Sequence, residues 1–337
     1  MAAGQNQMRL GGSAAVIPWQ SENSRGGWDM RSGKWRTVVW ISIAVLTAVF
    51  CSVQVSAQIN AVATFPILAD FVAAVGGELV NVSSLIPFGG DPHSWEPTPQ
   101  HARMVADADV VFANGLGLEI WLDRLVESAA DGNVPVVVLS DGLPALPYHS
   151  DEGHGSHSGH GHSHGDYDPH MWLDVTYAMA YVKRIAEVLG QLDPENAAIY
   201  RKQAEGYLEQ LVELDQWLLD AAAQIPDANR RIITYHHAFA YFSARYGFTI
   251  AAYLVLNPDR EPSARDMMEL TKLLASHPRR VMFTEPQVSI GKRYTEVAVK
   301  EVGGTLFTLY TGSLTESVPT YIDMMRHNGM VLLEALR

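Results

Sequence analysis

Cysteine is nearly absent: Cys51 is the only one in 337 residues. A lone thiol forms no internal disulfide and no multi-thiolate zinc site, and if a signal ending at Ala57 is removed with it, any bound metal must be held by His, Asp or Glu. Basic residues are also scarce, with 24 Lys and Arg against 37 Asp and Glu and a formal charge of −13. No basic stripe runs along the chain, which excludes a nucleic-acid partner held by its phosphates. Long apolar runs are missing after residue 53. Even so, 47% hydrophobic and 18% charged residues suffice for a packed core and exclude general disorder.

The one long apolar run spans residues 37–53. Arg31, Lys34 and Arg36 precede it, and the small residues Val55, Ser56 and Ala57 follow. This order is that of a secretory signal, with cleavage expected after Ala57. The run is just long enough to span a bilayer, so an uncleaved anchor is the competing outcome. Met30 fits a start that gives the signal an ordinary length, and residues 1–29 read as an upstream extension. Lipidation at Cys51 is disfavoured because Phe50 stands where a small residue is wanted. Export to the periplasm, or retention on the membrane, is the expectation.

Beyond residue 57, short Val- and Ile-rich runs alternate with helical patterns. "INAVATF", "LVNVSSLIP", "DVVFANG" and "PVVVLS" read as four buried strands. The helical patterns of this half fall at 66–75, 98–106 and 118–128. After residue 230 the scheme repeats with "RRIITYH", "FTIAAYLV", "RRVMFTEP" and "GTLFTLY", and with helices at 238–246, 264–276, 293–302 and 318–336. The fold class is therefore α/β: two lobes, each with a mainly parallel four-stranded sheet flanked by helices. Two long helices lie between the sets. The first, near 175–192, has an apolar stripe through Met179, Val182, Ala186 and Leu189 and is the expected rigid link between lobes. The second should start from an Asp193 cap with Pro194 in its first turn. The expected organisation is a signal and extension at 1–57, an N-terminal lobe at 58–173, a linking helix at 174–195 and a C-terminal lobe at 196–337.

Open α/β sheets gather ligands at the carboxyl ends of their strands. His93, His170 and His236 all fall in such places: after a strand and a Gly-Gly loop, before the first long helix, and at the end of "RRIITYH". Neutral imidazole is a good zinc ligand. A lone loop histidine is more often simply solvated, but the tripeptide Asp-Pro-His occurs twice, at 91–93 and 168–170. Proline fixes the backbone before the imidazole, and the aspartate can orient the ring through its other nitrogen. His237 should diverge from His236, and His101, His277 and His327 read as surface or packing residues.

"DPHSWEPTP", "NGLGLEIWLDRL", "DPHMWLD", "HHAFAYFSARYGF", "FTEPQ" and "LYTGSL…YIDMMRHN" occur in that order. Together they resemble the landmarks of zinc/manganese substrate-binding proteins of bacterial ABC importers, over essentially all of residues 58–337. The resemblance implies two α/β lobes joined by a long helix, a metal ion in the cleft, and delivery to an ABC permease driven by its ATPase. It implies no chemistry of its own, so no enzyme, and a monomer is expected. Position by position, the family's first three ligands fall on His93, His170 and His236. The family's usual fourth ligand, an aspartate, falls on Gly312, a departure. Manganese-type members place a carboxylate at the third ligand as well. With His236 and Gly312 there, both hard oxygen ligands are gone, and the nitrogen set favours Zn²⁺ over Mn²⁺. Water or Glu285 could fill the fourth position. The competing reading of Glu285 is an acceptor for backbone N–H groups near the cleft.

Seven of the thirteen histidines lie between His149 and His170. Gly and Ser separate His154, His157, His160, His162 and His164, so the loop 149–165 has no apolar pattern to pack. It can bind zinc weakly in many arrangements, as a capture loop or incidentally. The other functions to weigh are a manganese receptor of the same type, a zinc buffer relying on this loop, and a three-His zinc hydrolase or lyase.

Overall fold

The structure, a computed structural model, describes residues 58–129, 134–148, 166–256, 258 and 261–337. The signal segment with Cys51 and the histidines of loop 149–165 lie outside the described residues.

All eight expected strands form. In the first lobe they are β1 (Ile59–Ala63), β2 (Val80–Ser84), β3 (Val110–Ala113) and β4 (Val136–Val138), and in the second β5 (Arg231–His236), β6 (Thr249–Val255), β7 (Val281–Thr284) and β8 (Thr305–Thr308). Every pairing is parallel. The order is β2-β1-β3-β4 in one sheet and β6-β5-β7-β8 in the other, so the second lobe repeats the topology of the first. Parallel strands are covered on both faces, which is why β3 and β7 are wholly buried runs, "VVFA" and "VMFT". In each sheet the connections reverse direction between the first and third strands. Those switch points, β1/β3 and β5/β7, are where side chains and ligands have room at the strand ends.

The flanking helices are α1 (Pro66–Gly76), α2 (Pro99–Ala106), α3 (Leu122–Ser128), α4 (Val175–Leu192), α5 (Ala197–Ala223), α6 (Ala240–Tyr246), α7 (Ala264–Ser276), α8 (Ser289–Val302) and α9 (Tyr321–Leu336). Several start away from the sequence expectation, three of them as follows. Residues 118–121 are a turn rather than the start of α3, because Gly115, Leu116 and Gly117 put the chain into left-handed backbone just before them. Residues 194–196 form a separate 3₁₀ turn, so α5 starts at Ala197. The Asp193 carboxylate accepts from the side chains of Asn196 and Tyr200 at this turn, ahead of α5. α8 begins four residues earlier than its apolar pattern, at Ser289.

α4 is the long helix that leaves the first lobe. Asp174 caps it by accepting from the Thr176 N–H at 2.8 Å. Its buried face runs through Ala178, Tyr181, Val182, Ile185, Ala186 and Leu189, while Met179 is only half-buried. α5 buries the expected stripe of Tyr200, Ala204, Tyr207, Leu211, Leu214 and Leu218. It packs on α4 and α1 and also on α9 and α6, so this helix pair joins the lobes.

Hydrogen bonds close the seam between lobes on both sides of the strand ends. Gly89 N–H donates to Leu314 O at 2.9 Å, and the Trp172 indole donates to Thr311 O at 2.6 Å. Opposite, the Tyr241 hydroxyl accepts from Leu146 N–H and donates to Asp168 O, both at 2.9 Å.

Candidate metal centre

Three imidazoles converge in this seam. His93 comes from the loop after β2, His170 from the segment before α4, and His236 is the last residue of β5. All three are buried. Nε2 of His170 lies 3.1 Å from Nε2 of His93 and 3.4 Å from Nε2 of His236. One donor atom from each ring lies within 4.8 Å of the other two, the only group of this kind among the described residues. Two nitrogens bound at ~2.0–2.1 Å to one tetrahedral zinc ion would stand about 3.3–3.4 Å apart. The two separations from His170 Nε2, 3.1 and 3.4 Å, are close to that spacing.

The local backbone follows from the repeated tripeptide. In each, the aspartate Oδ1 accepts the histidine N–H two residues on, at 3.0 Å for Asp91 and His93 and 2.9 Å for Asp168 and His170. This turn is the one Asp favours, and the intervening proline needs no donor partner. Asp168 Oδ1 also stands 2.7 Å from His170 Nδ1, the orienting contact expected of the motif. For Asp91 the bond to backbone N–H is the one that fixes the loop.

Glu285 orients the third ring. Its Oε1 lies 2.5 Å from His236 Nδ1, and its Oε2 accepts from the Thr311 hydroxyl and from Gln287 Nε2. Both oxygens are therefore engaged on the far side of the imidazole, and Glu285 is outside the three-nitrogen group. Its contacts are close to the competing reading, with side-chain donors in place of backbone ones. A carboxylate oxygen at Nδ1 favours the tautomer with its proton there, which leaves the Nε2 lone pair free for a cation. His170 and His236 are both arranged this way.

The electrostatics agree. Burial pushes the Asp168 carboxyl up to about 6, against the lowering effects of His237, the His170 N–H and His236. For His236, burial alone lowers the pKa, but the charge and hydrogen bond of Glu285, with Asp91 and Asp168, raise it overall. Three carboxylates, those of Glu285, Asp91 and Asp168, thus act on the His236 ring.

His237 turns away from the group, as expected, but not to solvent: its Nδ1 lies 3.6 Å from Asp168 Oδ2 and its ring packs on Tyr148 and Tyr253. His101 caps α2 through Nδ1, while Nε2 of His277 and of His327 contacts Arg231 O and Thr308 O. Sequence reasoning missed Trp172, which packs 5.4 Å from the His170 ring and reaches Thr311 across the seam. Its place two residues after His170 was the available signal. At Gly312, a Cβ would come within 3.1 Å of Pro92 Cγ, so this glycine lets the His93 loop seat closely against the second lobe.

Comparison with known proteins gives a consistent picture. Residues 61–335 match the family described as zinc-uptake complex component A, periplasmic (ZnuA). A manganese-binding lipoprotein, MntA, of Halalkalibacterium halodurans is 35% identical over 79% of this chain and 85% of its own length. A metal-binding protein of Treponema pallidum is 30% identical over 84% of this chain and 91% of its own. Among solved structures, the periplasmic zinc-binding protein TroA of Treponema pallidum superposes with a TM-score of 0.72 at 27% identity, covering 83% of this chain and 99% of that one. Among the described residues, no helix is long and apolar enough to cross a membrane. The chain belongs to the zinc-uptake component A family, substrate-binding receptors of metal ABC transporters rather than enzymes.

Proposed function

We propose that this receptor binds Zn²⁺ outside the cytoplasm, through Nε2 of His93, His170 and His236, and hands it to an ABC permease coupled to its ATPase. The observation that carries the reading is the convergence of three Nε2 atoms, with carboxylates behind two of the rings rather than facing the centre. A nitrogen donor set suits zinc, whereas carboxylate-rich coordination suits Mn²⁺. Gly312 adds no donor, and the oxygens of Glu285 are engaged elsewhere. Water completes a tetrahedral ion. The loop 149–165 would serve as a weak zinc-capture tract through His154, His157, His160, His162 and His164.

A manganese receptor is the second reading, favoured by the name of the 35% identical relative. Metal stoichiometry under Zn/Mn competition, with and without residues 149–165, separates the alternatives. One tight zinc per chain that survives the loop deletion is expected. Preferential manganese occupancy would overturn the zinc assignment, and loss of nearly all binding on deletion would favour the buffer.

A further inference from the structure

We propose that Asn114 and Glu119 are positioning residues, which use the switch point of the first lobe to fix the loop that carries His170. The β1/β3 switch point is the crevice in which an open α/β sheet ordinarily takes a ligand. Here it is filled from within. The buried Glu119 accepts at Oε1 from the Thr64 hydroxyl (2.7 Å) and Asn114 N–H (2.8 Å), and at Oε2 from Gly115 N–H (3.0 Å). Thr64 follows β1 and Asn114 follows β3, so one carboxylate ties the two strand ends together.

The turn it clamps is strained. Gly115, Leu116 and Gly117 have φ of 87°, 56° and 77°, a left-handed run that a leucine adopts only when its surroundings compel it. A Cβ on Gly115 would come within 2.4 Å of Val138 Cγ1, so the first of these must be glycine. The held turn aims the Asn114 side chain. Nδ2 donates to Pro169 O at 3.0 Å and to Gly115 O at 3.1 Å, while Oδ1 accepts from the Tyr181 hydroxyl at 2.7 Å. Pro169 has no N–H, so its carbonyl is the only backbone hydrogen-bonding group it offers next to His170. The bond is buried, where no solvent replaces it. In the second lobe the equivalent switch point holds His236, at the end of β5, and Glu285, just after β7. The switch-point carboxylate thus contacts a histidine ring directly in the second lobe, and in the first it acts through Asn114 on the backbone just before His170.

This inference rests on the metal-site reading, and its test keeps the two apart. The full chain without its signal is compared with N114D, E119Q and Y181F. Asn114→Asp is nearly isosteric and sets an oxygen against Pro169 O. Tyr181→Phe removes the other hydrogen bond of the same side chain and serves as control. Zinc alone is the probe, with affinity read by chelator competition and release by stopped flow. N114D and E119Q should lose roughly 10–100-fold in affinity, mainly through faster release, as for other outer-shell partners. Y181F should stay within about threefold of the parent, under half a decade or ~0.7 kcal/mol, even with a lower melting temperature. Parent affinity in N114D, or equal losses in N114D and Y181F, would show a merely structural role. Hydrogen exchange of the His170 and Met171 amides in metal-free protein gives a readout independent of zinc. Faster exchange in N114D but not Y181F supports positioning even if the parent binds no zinc. Unchanged exchange overturns it.

Discussion

Glu285 and His236 meet at 2.5 Å, carboxylate oxygen to Nδ1, on the side of the imidazole that faces away from His93 and His170. The contact sets which nitrogen carries the proton and so which one can take a metal. Glu285→Gln preserves size but removes the charge. Zinc affinity should fall by roughly 10–100-fold, the usual effect of an outer-shell partner. Isothermal titration of the variant against the parent decides it, and an unchanged affinity would remove Glu285 from the site's support.

Loss of a ring itself should cost more. His93→Ala, His170→Ala and His236→Ala should each weaken zinc binding beyond that roughly 10–100-fold range. X-ray absorption on the zinc-loaded variants should show one nitrogen fewer. Retention of parent affinity by any one of the three would exclude that residue as a ligand.

The raised pKa of His236 gives zinc binding a pH dependence of known sign. Its protonated form stabilises the metal-free fold fully below the unfolded value of about 6.5, and that contribution is lost as pH rises through the higher folded value. Zinc must displace the same proton, so affinity should climb with pH through this window and level off above it. In Glu285→Gln the window should move down. Affinity that is flat from about pH 5 to 8 would contradict a three-imidazole site.

Zinc should also stabilise the fold. A ligand specific to the native state contributes RT ln(1 + [L]/Kd), about 4 kcal/mol at a thousandfold excess over Kd. At roughly 2–4 °C per kcal/mol, calorimetry of metal-stripped protein should show a rise of about 8–16 °C. No shift on zinc addition would count directly against binding to the folded chain.

Gly312 offers a test of metal choice. Gly312→Asp restores a hard oxygen where the family resemblance places one, and should narrow the preference for zinc over manganese. Its Cβ must displace Pro92, since the two would stand 3.1 Å apart, so absolute zinc affinity should fall as well. Competition dialysis with both metals reads the ratio, and an unchanged ratio would show that position 312 does not face the ion.

Much of the fold was legible because it is written locally. Val- and Ile-rich runs such as "VVFA" and "VMFT" bury on both faces of a parallel sheet whatever lies beyond them, and all eight formed where expected. The stripe from Tyr200 to Leu218 likewise marked α5, though not its start, because residues 194–196 form a separate 3₁₀ turn ahead of it. Glu285 was visible as a carboxylate near the strand ends but not as the partner of His236. Asn114 and Glu119 fell inside the landmark "NGLGLEIWLDRL", but nothing in that stretch showed what they hold. Their roles depend on which atom each side chain turns toward, and periodicity says nothing about that.

By itself the sequence determined the donor chemistry and the scaffold. With its one cysteine inside the expected signal segment, the chain offered imidazole and carboxylate as metal donors, alternation of short apolar runs with helices required two α/β lobes, and Asp-Pro-His, occurring twice, marked two of the three rings. Only the tertiary structure decided that His93 and His236 come within 3.1 and 3.4 Å of His170, and which carboxylates lie behind His170 and His236. The physical reason is that His93 and His236 reach His170 from 77 and 66 residues away. Their separation is set by packing of the two lobes along one seam, a sum of many long-range contacts that no local stretch of chain encodes.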